Sequence, residues 1–150
     1  MALQLKTSID IDAAPDAVWA VLSDLPAYPS WNPFIREARG ELAAGERLDV
    51  QMQPEGGRAM RFRPTVLNAE PGRELRWRGR LVAPGVFDGE HRFAIEPTPG
   101  GSRLLQEERF TGVLVPLLAK GLRTRTLPAF EQMNEAVKER AEAGSAKAPS

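Results

Sequence analysis

At 150 residues, with 42% hydrophobic and 27% charged residues, the chain has the size and balance of one domain that buries a core without covalent staples. Twenty basic and twenty acidic residues cancel, so no net field draws it to nucleic acid or to a membrane surface. The absence of cysteine excludes disulfides and thiol nucleophiles, and a single histidine leaves too few ligands for a transition-metal site.

Leu3, Leu5, Thr7, Ile9 and Ile11 alternate with polar residues, the period of a half-buried strand. This N-terminal alternation, with its lysine and aspartates, is unlike a signal peptide, and no window has the apolar length of a membrane span. A soluble, cytoplasmic protein without integral membrane association is the expectation. The segment AAPDAVWAVLSD then places Pro15 and Asp16 in a first helical turn, with Val18, Val21 and Leu22 on one face. That helix should stop before Pro26. In the next window, LSDLPAYPSWNPFIREARG, Tyr28, Trp31 and Phe34 stand among Pro26, Pro29 and Pro33, which predicts a short, rigid helix or turn.

Six alternating runs separated by turn signals follow: FIREARGEL, RLDVQMQ, AMRFRPTVL, RELRWRGRL, FDGEHRFAIE and SRLLQEERF. Pro64, inside the third run, predicts a bulge or an edge. From Val115 the period becomes helical, with Leu118, Leu122, Phe130, Met133 and Val137 on one face. Gly121 and Pro128 predict a kink near residues 124–128. The expected domain is 1–143, and 144–150, without apolar periodicity, reads as a frayed tail.

The layout and its local words resemble the START-like, helix-grip superfamily (SRPBCC), in its polyketide cyclase/dehydrase and lipid-transport branch. The words are IDAAPDAVWAVLSDLPAYPSWNPFI, NAEPGRELRW, GEHRFAIEPTPGGSRLLQEERFTG and AFEQMNEAVKER, spanning about residue 5 to about residue 140. The resemblance implies an α+β fold: a seven-stranded curved antiparallel sheet around a long C-terminal helix, with one or two short helices between strands 1 and 2. It also implies a cavity between sheet and helix that holds an apolar small molecule. It does not imply a reaction.

Parity along the runs nominates the wall. Phe87, Gly89, His91, Phe93 and Ile95 share one face, as do Leu75, Trp77, Gly79 and Leu81, while Arg76, Arg78 and Arg80 share the other. If Phe110 points inward, so do Leu104, Gln106 and Glu108; a bulge would select Leu105, Glu107 and Arg109 instead. The first register is preferred because apolar residues stand at both ends of its set. Met52, Phe62, Trp77, Gly79, His91, Phe93, Gln106, Glu108, Phe110, Leu122, Phe130 and Met133 are the expected lining, with Tyr28 and Trp31 as further candidates: Tyr28 either meets ligand at the mouth or packs under the helix, and packing under the helix is the preferred reading of Trp31.

Three functions remain open. The first is sequestration of a lipid-like or aromatic, polyketide-like ligand. The second is a cyclase or dehydratase in which His91 and Glu108 move a proton. The third is a surface module whose outward arginines meet an acidic partner. None of the three calls for a metal or cofactor, and neither ligand nor oligomeric state is legible.

Overall fold

The computed structural model describes residues 2–81 and 83–147. Eight strands and four α-helices are ordered β1 (Ala2–Ile11), α1 (Pro15–Ser23), α2 (Tyr28–Trp31), β2 (Ile35–Arg39), β3 (Asp49–Met52), β4 (Met60–Phe62), β5 (Thr65–Glu70), β6 (Glu74–Leu81), β7 (Phe87–Thr98), β8 (Gly101–Thr111), α3 (Val115–Gly121) and α4 (Leu127–Lys147). Pro15 opens α1, and Val18, Val21 and Leu22 are its buried face. A 3₁₀ turn at Leu25–Ala27 connects α1 to α2, so two short helices separate the first two strands.

The strands form two antiparallel sheets rather than one sheet of seven strands: β1-β8-β7-β6-β5 and β2-β3-β4. Pro64 is the reason. It has no N–H for a ladder, so the run AMRFRPTVL divides into β4 and β5 on either side of it. The sheets stay tied at the division. Leu48 N donates to Pro64 O at 2.8 Å, Val66 N donates to Glu46 O at 2.8 Å, and Arg47 bridges Thr65. Register shifts at Ile35/Glu37 and Val66/Asn68 add local bends.

The β7–β8 hairpin turns on Pro99 and Gly100, with Thr98 opposite Gly101. Gly101 has φ +152°, and a Cβ there would meet Ile11 O at 2.4 Å; only glycine fits so close to β1. That tight turn carries β8 back between β7 and β1 over ten residues of continuous pairing.

α4 lies against β1 and α1, burying Ala129, Phe130, Met133, Asn134, Val137 and Ala141. Its 21 residues correspond to about 31 Å. The kink expected near 124–128 is a π-helical turn at Leu122–Thr126 joining α3 to α4. Pro128 has no N–H to return to the carbonyl of Thr124, and the chain passes this point in a wider turn. α4 runs to Lys147; residues 148–150 of the expected tail, and the side chains of Leu81 and of residues 145–147, lie outside what is described.

Candidate functional site

Strand register stacks the inward residues in rows. Trp77, His91 and Glu108 form one row across β6, β7 and β8; Leu75, Phe93 and Gln106 form the next. In the row on the other side, Gly79 pairs with Gly89, and Gly89 with Phe110. Two glycines side by side leave the sheet without side chains there. A cavity of about 440 Å³ opens over them.

Trp77, Glu108 and Phe110 complete its floor. Met52, Met60, Phe62 and Pro64 wall one side, and Leu118, Gly121, Leu122 and Thr126 cover it from α3 and the π turn. Arg58, Arg80 and Arg125 stand at the rim, and Glu108 is the one acidic residue among the described lining. The volume and the mostly apolar wall suit a small organic ligand.

The two glycines differ. A Cβ on Gly79 would touch only Pro64, at 4.0 Å, so a side chain there would enter open space. A Cβ on Gly89 would lie 2.3 Å from Glu108 Oε2. The Glu108 carboxylate occupies the place that a side chain at 89 would take.

Glu108 Oε1 is 2.6 Å from His91 Nδ1, and His91 Nε2 is 3.0 Å from Gln106 Oε1. Gln106 Nε2 donates to Asn134 Oδ1 at 2.8 Å and to the Phe130 carbonyl at 3.3 Å. Asn134 Nδ2 donates to Thr7 Oγ1 at 2.8 Å, and that hydroxyl donates to Gln106 O at 2.8 Å. The Phe130 carbonyl only accepts, so the Gln106 amide must present its nitrogen to α4 and its oxygen to the imidazole. His91 Nε2 therefore carries a hydrogen.

The consequence reaches the cavity. The 2.6 Å contact couples the imidazole directly to the carboxyl group. Oε2 of Glu108 has no hydrogen-bond partner among the described residues and lies over Gly89, on the cavity floor.

Seven of the fourteen expected lining residues border this cavity: Met52, Phe62, Trp77, Gly79, Glu108, Phe110 and Leu122. His91, Phe93, Gln106, Phe130 and Met133 lie in a sealed layer beside it. His91 is 1% exposed: Trp77 stacks on its ring at 5.3 Å, Phe93 lies at 4.6 Å, and Phe130 meets it edge-on at 5.0 Å. Tyr28 and Trp31 do not reach the mouth. Tyr28 is fully buried, donates its hydroxyl to Leu22 O at 2.6 Å and meets Trp31 edge-on at 5.2 Å. Burial, with the Asp24 charge, pushes the Tyr28 phenol above the ordinary tyrosine range, so it stays a donor.

The third aromatic of that window, Phe34, does line the cavity and leans on Phe130 at 5.7 Å. Asn32 places it, accepting hydrogen bonds from Phe34 N at 2.9 Å and Ile35 N at 2.8 Å. Gly89, Met60, Arg58 and Arg125 were also not expected in the lining, and Arg80, expected on the outward face, stands at the cavity rim. Gly89 had a signal, since it shares the inward parity of His91.

The sequence of residues 2–142 matches the family described as polyketide cyclase / dehydrase and lipid transport. The chain belongs to this family. No curated protein matches it. Among solved structures, this family member superposes on the Zhui aromatase/cyclase from Streptomyces sp. R1128 with a TM-score of 0.78 and 16% identity, over 97% of this chain and 96% of that one. The di-domain aromatase/cyclase StfQ of the steffimycin biosynthetic pathway gives 0.79 and 16%, over 97% of this chain and 53% of that one. The protein TTHA0849 from Thermus thermophilus gives 0.75 and 17%, over 95% and 99%. At such identities the likeness is one of fold. No helix among the described residues is long and apolar enough to cross a membrane.

Proposed function

We propose that this family member binds an apolar, lipid-like or polyketide-like small molecule that carries at least one oxygen able to hydrogen-bond. Its body fills the space over Gly79, and its oxygen meets Glu108 Oε2. The observation behind this reading is the glycine pair with a single unpartnered carboxylate oxygen above it. Apolar contact drives entry at about 25 cal/mol per Å² buried, and the carboxylate sets orientation. The family description, which covers lipid transport as well as cyclases, supports the ligand class.

The short contact between His91 Nδ1 and Glu108 Oε1 favours a second reading, in which Glu108 exchanges a proton with a bound polyketide-like chain. His91 then acts as a positioning residue behind it. A positioned acid–base group contributes about 10²–10⁴ in rate. Zhui and StfQ are described as aromatase/cyclases, which is compatible with this version without deciding it.

Equilibrium binding against fatty acids, aromatic polyketides and quinones tests both. Gly79→Leu should keep the fold and lose affinity by at least about tenfold, because the new side chain occupies the ligand's space. Unchanged affinity in a folded Gly79→Leu protein would remove the cavity from the function. Glu108→Gln divides the readings: a carrier loses affinity by roughly tenfold or more, whereas an enzyme keeps binding and loses turnover.

A further inference from the structure

Net neutrality hides a local surplus. Between Phe110 and Phe130 the sequence carries Lys120, Arg123 and Arg125 and no acidic residue. All five exposed large hydrophobic side chains of the described residues gather at the same end: Met60, Val113, Leu114, Leu117 and Leu118. Val113 is 76% and Leu117 80% exposed. A soluble domain seldom leaves its exposed apolar residues in one group without a use for it.

The group sits at the cavity mouth. Met60 and Leu118 belong to the lining, as do Arg58 and Arg125 of the surrounding basic rim. Arg58, Lys120, Arg123 and Arg125 are exposed and take part in none of the ion pairs among the described residues, whereas Arg80 at the rim pairs with Asp88 at 3.7 Å. Exposed leucines and valine on and beside α3, with unpaired cations following in the same segment and at the cavity rim, form the pattern of an interfacial element, with side chains entering the acyl boundary and cations at the headgroups. A second copy fits badly, because a two-fold contact would set this basic rim against itself.

We propose that this face docks peripherally on anionic lipid bilayers, with α3 lying in the interface and the cavity mouth turned to the membrane. An apolar molecule then passes between bilayer and cavity without crossing water. The docking itself does not depend on which molecule the cavity holds.

Vesicle co-sedimentation of the full chain tests it, using phosphatidylcholine vesicles with and without phosphatidylglycerol. Binding should require the anionic lipid and weaken as salt rises. Leu117→Asp, at a site exposed enough to spare the fold, should reduce partitioning at least about tenfold. Reversing Lys120 and Arg123 to glutamate should reduce it by about fivefold or more per residue, the equivalent of about 1 kcal/mol for each basic side chain near the surface. Arg140→Glu, on exposed α4 surface, should bind as wild type does. The proposal falls if wild type ignores anionic vesicles, or if Leu117→Asp binds them equally well. It also falls if sedimentation velocity finds a dimer that Leu117→Asp dissolves while vesicles remain unbound.

Discussion

Strands β6, β7 and β8 carry a polar network on each face, built from similar residues and put to different ends. On the outer face, Arg92 donates to Glu74 at 2.7 Å and to Glu107 at 2.8 Å. Arg76 reaches Glu74 at 2.8 Å and Glu90 at 3.3 Å. On the inner face, Glu108, His91, Gln106, Asn134 and Thr7 form a chain that ends on a backbone carbonyl. Arg76, Arg92 and Glu90 on the outer face keep access to water, so losing a partner leaves them solvated. On the inner face His91, Gln106 and Asn134 are buried, and each depends on its neighbour's orientation. The same alternation that made the outer arginines resemble a docking stripe pairs Arg76 and Arg92 with carboxylates. Arg58 and Arg125, at the cavity mouth, make no ion pair among the described residues.

The sharpest way to break the contrast is to remove one residue from each network. Gln106→Ala strands His91 Nε2–H and Asn134 Oδ1 in the interior, and urea unfolding should show a loss of about 3 kcal/mol or more. Arg92→Ala, at a side chain 36% exposed, should cost no more than about 1 kcal/mol. Comparable losses would mean that the inner chain is no more demanding than the outer lattice.

The glycine pair gives a smaller, more local contrast. Gly89→Ala pushes against Glu108 Oε2 and should cost about 1–3 kcal/mol while displacing the carboxylate from His91. Gly79→Ala meets open space and should lie within about 1 kcal/mol of wild type, on the stabilising side. Thermal denaturation of both proteins reads the difference. Equal behaviour would contradict the placement of Glu108.

The smallest effect is in acid. Burial works against ionised Glu74, but the Arg92 and Asn68 hydrogen bonds and the Arg76 charge outweigh it and hold the carboxyl below the usual range. With the folded value depressed, its stabilisation is complete above the unfolded carboxylate range. That stabilisation is lost as pH falls through the folded value. Glu74→Gln should therefore flatten the decline of melting temperature between about pH 5 and about pH 3. An unchanged acid limb would assign that decline to other carboxylates.

Much of this was legible in the chain because it depends on neighbours in sequence. The two-residue period set the inward parity of Phe87, His91, Phe93, Gln106, Glu108 and Phe110, and Pro15 and Pro128 marked a helix start and a kink, since a missing N–H acts locally; Pro64 marked an irregularity, read as a bulge or an edge, where the structure divides the run between two sheets. What needed the tertiary structure was the meaning of facing inward. His91 and Glu108 share a row and a face, yet Phe130 of α4 seals the imidazole while Gly89 of the neighbouring strand leaves the carboxylate in the open. The hole itself exists because register brings Gly79 beside Gly89 from separate strands. Parity is a property of one strand. Adjacency across strands, and the seat of a helix laid over them, are decided only when the whole chain packs.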